Sequence, residues 1–356
     1  MRQLIKEHRR AVFGFVLAAV AIIFIFAVLP QLAGFGKSLH RLRYGNKVWL
    51  AAGVGLESLS LFGYMLLFRL TFSCEGVRIS WRSSYQITMA GSVATKLLAA
   101  GGAGGIALTV WALRAAGLSA RAVARRMTSF EMLLYAVFMA ALVVFGGGLA
   151  LGVLPGKSPT ALTVVPAVLG AVVIGLVVGL GLAAQRAERW LSRLAKRGRH
   201  EKKLLTKLAT LPGTLHGGFQ TTAEVLRHPR PGLLGAIMYW ALDIATLWAG
   251  FRAFGASPPI AVVVLAYYVG QLANALPIPG GIGGVEGGMI GSFIAFGVSG
   301  STAVLAVLAY RLISFWLPVL PGSIAYLQLR AKVSRWRDEA DDQGSDAPAD
   351  TQAVEA

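Results

Sequence analysis

Six ionisable side chains fall within apolar stretches of this 356-residue sequence: Glu57, Lys96, Glu131, Asp243, Glu286 and Arg311. A charge in hydrocarbon is costly, so such groups pair with one another or face a polar cavity, and they mark paths for ions or anionic substrates. Four acids against two bases point to internal pairing. The planar guanidinium of Arg311 suits a phosphate, and Lys96, in TKLLAAGG, supplies a compact positive charge. Glu286 and Arg311 meet either as a structural ion pair or as an anion clamp with its proton carrier. Lys96 either pairs with Glu131, the favoured partner, or meets an anionic headgroup. Asp243, in YWALDIATLW, faces a cavity or a neighbouring helix, and Glu57, among small residues without a motif, ranks last. On these grounds Lys96 and Arg311 are assigned to substrate binding, with Glu286, Glu131 and Asp243 coupled to them by charge.

The elements that must position these groups are interrupted twice by glycine. Residues 270–286 read GQLANALPIPGGIGGVE, and residues 91–107 read GSVATKLLAAGGAGGIA. A shift of 179 places Gly91, Gly101, Gly102, Gly104 and Gly105 on Gly270, Gly280, Gly281, Gly283 and Gly284. After a slip of one residue, Gly117, Ser119 and Glu131 fall on Gly297, Ser299 and Arg311. Broken apolar segments at matching places in two halves point to a binding site near the bilayer midplane. Pro277 and Pro279 remove backbone donors and serve as hinge residues. The freed polar groups around Asn274, Gly280, Gly281 and Gly283 are assigned to substrate contact.

Composition fixes the class. The chain is 56% hydrophobic and 14% charged, against about 25% charged in soluble domains. A bilayer core of about 30 Å takes about 20 apolar residues. Six segments qualify, at 11–33, 47–70, 127–152, 160–184, 231–254 and 303–329. The broken regions 84–117 and 260–298 are either re-entrant hairpins or pairs of short spans. The expected fold is therefore an all-α polytopic membrane protein of two inverted-topology repeats, 1–152 and 153–329, followed by a cytoplasmic segment at 330–356. Within that segment 338–356 holds seven acids and no base and reads as disordered. With both termini in the cytoplasm, 26 of the 34 Lys and Arg residues fall on the cytoplasmic side. One external loop, with Lys37, Arg41, Arg43 and Lys47, runs against that rule. The basic segment 185–230 begins with leucines and Trp190 at helical spacing, as in a helix lying on anionic lipid.

Other function classes find little support. The net charge of +18 fits cytoplasmic loops and anionic lipid, not nucleic acid. Cys74 is the single cysteine, and the five histidines lack HExxH spacing, so no metal or other cofactor is expected. No GxxxxGK[ST] or GxSxG motif occurs, and no enzymatic activity is expected. The expected partners are membrane lipids, anionic ones above all; association into a homo-oligomer stays open. Two competing readings are a membrane scaffold or regulator of envelope lipid synthesis and a membrane-embedded lipid-modifying enzyme.

PIPGGIGGVEGG at 277–288 and GVSGSTAVLAVLAYRLISFWLPVLPG at 297–322 resemble the signature of the lysylphosphatidylglycerol synthase transmembrane-region family, also called flippase-like domain proteins. The resemblance covers roughly 10–330 and is looser in the first half. In multiple peptide resistance factors this membrane domain is joined to an aminoacyl transferase domain and is implicated in moving aminoacylated phosphatidylglycerol between leaflets. Related stand-alone members are associated with hopanoid pathways and polyprenol-linked glycan assembly. This chain ends at its acidic tail, so the resemblance implies a stand-alone flippase-like protein of the cell (inner) membrane rather than a synthase. It puts emphasis on Pro277, Pro279, Gly280, Gly281, Gly283, Glu286, Gly287 and Arg311.

Overall fold

The computed structural model describes residues 43–73, 79–97, 103–197, 231–275, 281 and 283–345. Within them the chain is helical: α1 (Lys47–Phe72), α2 (Trp81–Leu97), α3 (Ala103–Ala115), α4 (Ala120–Ala150), α5 (Thr160–Arg197), α6 (Pro231–Ala253) and α7 (Ile260–Leu272). A 3-10 turn (Ala273–Ala275) precedes α8 (Gly284–Ala295) and α9 (Gly300–Arg311), and a π-helical turn (Leu312–Trp316) leads into α10 (Val319–Ser345). Among the described residues, five helical stretches are long and apolar enough to cross a membrane: Lys47–Phe72, Ala120–Ala150, Thr160–Leu180, Leu233–Ala253 and Gly300–Arg335. They coincide with five of the six expected spans; the sixth, 11–33, lies outside the described residues.

Two elements run further than expected. Helix α5 continues past 184 to Arg197, so the start of the basic segment is helical, and 198–230 lies outside the described residues. Helix α10 continues to Ser345, through the first part of the acidic stretch expected to be disordered. The sequence RWRDEADDQ contains neither proline nor glycine to stop a helix.

Small residues determine how the helices meet. The buried face of α1 carries Gly53, Glu57, Ser60, Gly63 and Leu67, spaced three and four apart. A methyl group at Gly53 would approach Ile313, Thr246 and Ala249, and one at Gly63 would lie 2.9 Å from the carbonyl oxygen of Gly235. Between them, Ser60 Oγ donates to the carbonyl oxygen of Tyr239 at 2.7 Å. As residue numbers rise along α1 they fall along α6, so the two helices pack antiparallel at nearly backbone separation, as small-residue seams allow. Gly146 against Thr163, and Gly170 against Met139, make a similar antiparallel contact between α4 and α5. Gly322 against Met89, with Gln86 Nε2 donating to Gln328 Oε1 at 3.0 Å, does so between α10 and α2.

Local details recur at the shift read from the sequence. Gly117 and Gly297 have φ of +92° and +88°. Leu118 and Val298 donate their amides to Leu113 and Phe293, and Ser119 and Ser299 cap the next helix by accepting from Ala122 and Thr302. At the breaks, Gly91 faces the carbonyl oxygen of Gly105, and Gly270 faces that of Val285. Each broken region thus packs its two arms against one another where a glycine removes the side chain.

Candidate functional site

Both broken regions border one cavity of about 650 Å³, within the range typical of small-molecule sites. Gly91, Thr95, Lys96 and Gly105 wall it from the first region, and Gln271, Asn274 and Gly281 from the second. Helices α1, α4 and α6 add Glu57, Glu131 and Asp243, and Arg311 enters from the end of α9. Five of the six intramembrane charges therefore line one space. The sixth, Glu286, stands beside it and touches it through Arg311.

Lys96 ends α2, and its Nζ donates to the carbonyl oxygen of Ser314 at 2.7 Å. Ser314 lies in the π-helical turn, a feature frequent at functional sites. Phe315 of the same turn sits under both cations, 5.8 Å from Lys96 Nζ and 5.2 Å from Arg311 Cζ, so its ring face helps hold them. Among the described residues Lys96 makes no ion pair with Glu131, its favoured sequence partner. Glu131 is half-buried and acts on Tyr64 and Tyr135, whereas the carboxylates acting on Lys96 are Glu57 and Asp243.

Glu286 and Arg311 do meet. Arg311 Nε donates to Glu286 Oε1 at 2.6 Å, with the side chains 14% and 19% exposed. The other carboxylate oxygen accepts the Gly283 amide at 2.7 Å, on the first turn of α8. A carboxylate there satisfies an orphan amide and complements the helix dipole. One side chain thus starts α8 and holds the cation that enters the cavity. Gly283 is exposed. Gly281 has φ +64°, and a methyl group on it would strike Asn274 Oδ1 and Val285. Asn274 in turn donates to Gln271 Oε1. The break is held by these short polar contacts, while Pro277, Pro279 and Gly280 lie outside the described residues.

Asp243 receives two phenol hydroxyls on one of its oxygens. Tyr267 donates to its Oδ2 at 2.5 Å and Tyr310 at 3.1 Å; both rings are fully buried. Glu57 lies beside it, and the two residues are 4% and 5% exposed. Glu57 Oε2 and Asp243 Oδ1 have no hydrogen-bond donor. Sequence reasoning ranked Glu57 last and did not single out the tyrosines. Tyr267 and Tyr310 sit in otherwise apolar helices, and a buried phenol needs a polar partner. That was the available signal.

Residues 2–322 match the family described as lysylphosphatidylglycerol synthase TM region. A UPF0104 membrane protein of Methanothermobacter thermautotrophicus is 26% identical over 333 residues, covering 90% of this chain and 94% of its own length. A second from that organism is 24% identical over 335 residues, covering 90% and 97%. A UPF0104 membrane protein of Methanocaldococcus jannaschii is 32% identical over 101 residues, covering 28% and 30%. With the family matched over nearly its whole length and five candidate spans within it, this chain is a multi-pass membrane protein that belongs to the lysylphosphatidylglycerol synthase transmembrane-region family.

Proposed function

We propose that the chain moves a lipid or lipid-linked anion between leaflets, with Lys96 and Arg311 receiving the anionic headgroup in the central cavity. The observation that carries this reading is the meeting of these cations, one beside each break, on the ring of Phe315 in a cavity of headgroup size. Arg311 is balanced by Glu286, and Lys96 by Glu57 and Asp243, so the two cations can stand close together where an anion entering the cavity meets both. The acyl chains need no polar contact. Nothing in this role requires covalent chemistry, and the chain acts as a carrier rather than an enzyme.

Two inverted halves supply the alternating access. The antiparallel crossing of α1 and α6 supports them, because residues 179 apart, Ser60 and Tyr239, hydrogen-bond across it. Two copies related by an axis through that point run in opposite directions through the bilayer. The recurrent loops at Gly117 and Gly297 support the same arrangement. In this reading the broken regions enter from opposite faces, both termini are cytoplasmic, and one half rocks against the other.

Purified protein in vesicles carrying fluorescent phosphatidylglycerol tests the reading. Transfer between leaflets speeds up with the wild type and falls at least about tenfold in Lys96→Met and Arg311→Gln, a loss of about 1.4 kcal/mol or more. Absence of acceleration with phosphatidylglycerol, phosphatidic acid and a polyprenyl phosphate alike overturns it.

A further inference from the structure

We propose that Glu57 and Asp243 form a proton-binding pair, and that an anion arriving at Lys96 makes this pair take up a proton, so that anion and proton travel together. This rests on the reading of the cavity as an anion site.

The geometry starts with two acids that have almost no contact with solvent. Glu57 on α1 and Asp243 on α6 are brought side by side by the antiparallel seam, 4% and 5% exposed. Two adjacent buried carboxyls do not both ionise without a strong opposing charge. Their hydrogen bonding is unequal. Asp243 Oδ2 receives the hydroxyls of Tyr267 and Tyr310, which favours a carboxylate on Asp243. Glu57 Oε2 and Asp243 Oδ1 receive no donor. When the pair is ionised these acceptors carry the full desolvation cost, and a proton taken up by Glu57 supplies the missing donor, so the structure holds a ready place for one.

The charges around the pair decide when that proton is present. Lys96 from α2 acts on both carboxyls. Arg311 from α9 acts on Lys96, with Glu286 of α8 as its ion-pair partner. The other titratable groups facing the pair are phenols: Tyr239 on α6, Tyr267 and Tyr268 on α7, and Tyr310 on α9. Glu131 of α4 acts on Tyr64 and on Tyr135 of its own helix, and both of these act on Tyr239. Lys96 is therefore the cation that permits the pair to lose its proton. When an anionic headgroup occupies Lys96, that positive charge is spent on the ligand, and the carboxyl pair restores neutrality by binding a proton from water. Release of the anion reverses both steps. By linkage the anion binds more tightly as pH falls, because protons and anion favour the same state.

A proton suits these groups better than a metal cation. It needs only two facing oxygens, whereas oxygen-bound metal ions take about six ligands. Among the described residues no group of three or more acids, histidines or cysteines is placed to hold a metal.

Two measurements on the full-length protein in detergent test the pair. The first is the infrared carboxyl C=O band of a protonated acid at neutral pH. It is expected to rise when dihexanoyl phosphatidylglycerol is added to the wild type, and the rise is absent in Glu57→Gln. The second is proton uptake on that addition in weakly buffered solution, read with an indicator dye. About one proton per lipid bound is expected, as for a pair that titrates as a unit. Asp243→Asn is expected to abolish the uptake as well, so the outcome does not depend on one variant folding. Lipid binding without proton uptake, or unchanged uptake in a folded Glu57→Gln, overturns the proton pair and leaves the transport reading standing. Binding that requires sodium, shown by its loss when choline replaces sodium, assigns the site to a metal cation and also overturns it. If no anionic lipid binds or moves at all, the transport reading falls and the coupling falls with it.

Discussion

The seam between α1 and α6 sets the position of Glu57 against Asp243, and a single methyl group tests it. In Gly235→Ala the new carbon would lie 2.7 Å from the Gly63 carbonyl oxygen, 2.8 Å from the Leu67 amide nitrogen and 3.2 Å from the Leu67 Cβ. Two of these neighbours are backbone and cannot rotate away. Restoring an ordinary contact of about 3.4 Å needs a separation of about 0.7 Å, which forfeits a quarter to a half of the local dispersion energy. The Ser60 to Tyr239 hydrogen bond, at 2.7 Å, would stretch toward its limit. Overpacking of this kind costs about 1–3 kcal/mol, offset by about 0.5–1 kcal/mol from the better helix propensity of alanine. A net loss of about 1–2 kcal/mol is expected. Gly55→Ala on the same helix is the matched control, since nothing lies within 4 Å of its new carbon, and it should stabilise by about 0.5–1 kcal/mol. Denaturant midpoints in one detergent compare the two. If Gly235→Ala proves as stable as Gly55→Ala, the helices do not approach at Gly63, and the argument that places the two acids together loses its foundation.

Three further expectations concern single contacts. Tyr267→Phe and Tyr310→Phe each remove one of two donors to Asp243 Oδ2, at about 1–3 kcal/mol each; because the second removal leaves that oxygen bare, a double-mutant cycle should show a loss beyond the sum. Glu286→Gln keeps an acceptor for the Gly283 amide but removes the countercharge of a partly exposed Arg311, so its unfolding free energy should fall by about 1 kcal/mol, whereas Glu286→Ala, which loses the amide contact as well, should fall by about 2 kcal/mol. Gly117→Ala and Gly297→Ala place a side chain at φ +92° and +88°, and each should lower thermal stability by about 1–2 kcal/mol; at Gly297 the new carbon also meets the end of the Lys157 side chain, which can swing aside.

The contrast between what was legible and what was not follows from the range of the interactions. Spans, glycine breaks and the Gly117 and Gly297 loops are local, and hydropathy and a fixed shift revealed them because a backbone at positive φ selects glycine whatever surrounds it. The Glu286 to Arg311 contact was readable for a related reason: one short loop separates α8 from α9, so the two side chains have few places to go. The partners of Lys96 and Glu57 were not legible because their surroundings are set across the whole fold. Glu131 was expected beside Lys96, as a nearby opposite charge, yet the partner atom is a main-chain carbonyl at Ser314, and no side-chain pattern advertises a carbonyl turned by a π-helical turn. Glu57 looked uninformative because its neighbours on the sequence are small. Those same residues, Gly53, Ser60 and Gly63, are what admit α6 and bring Asp243 to it. Small residues around a lone buried acid are thus a signal in their own right: they mean that another helix comes close enough to meet the charge.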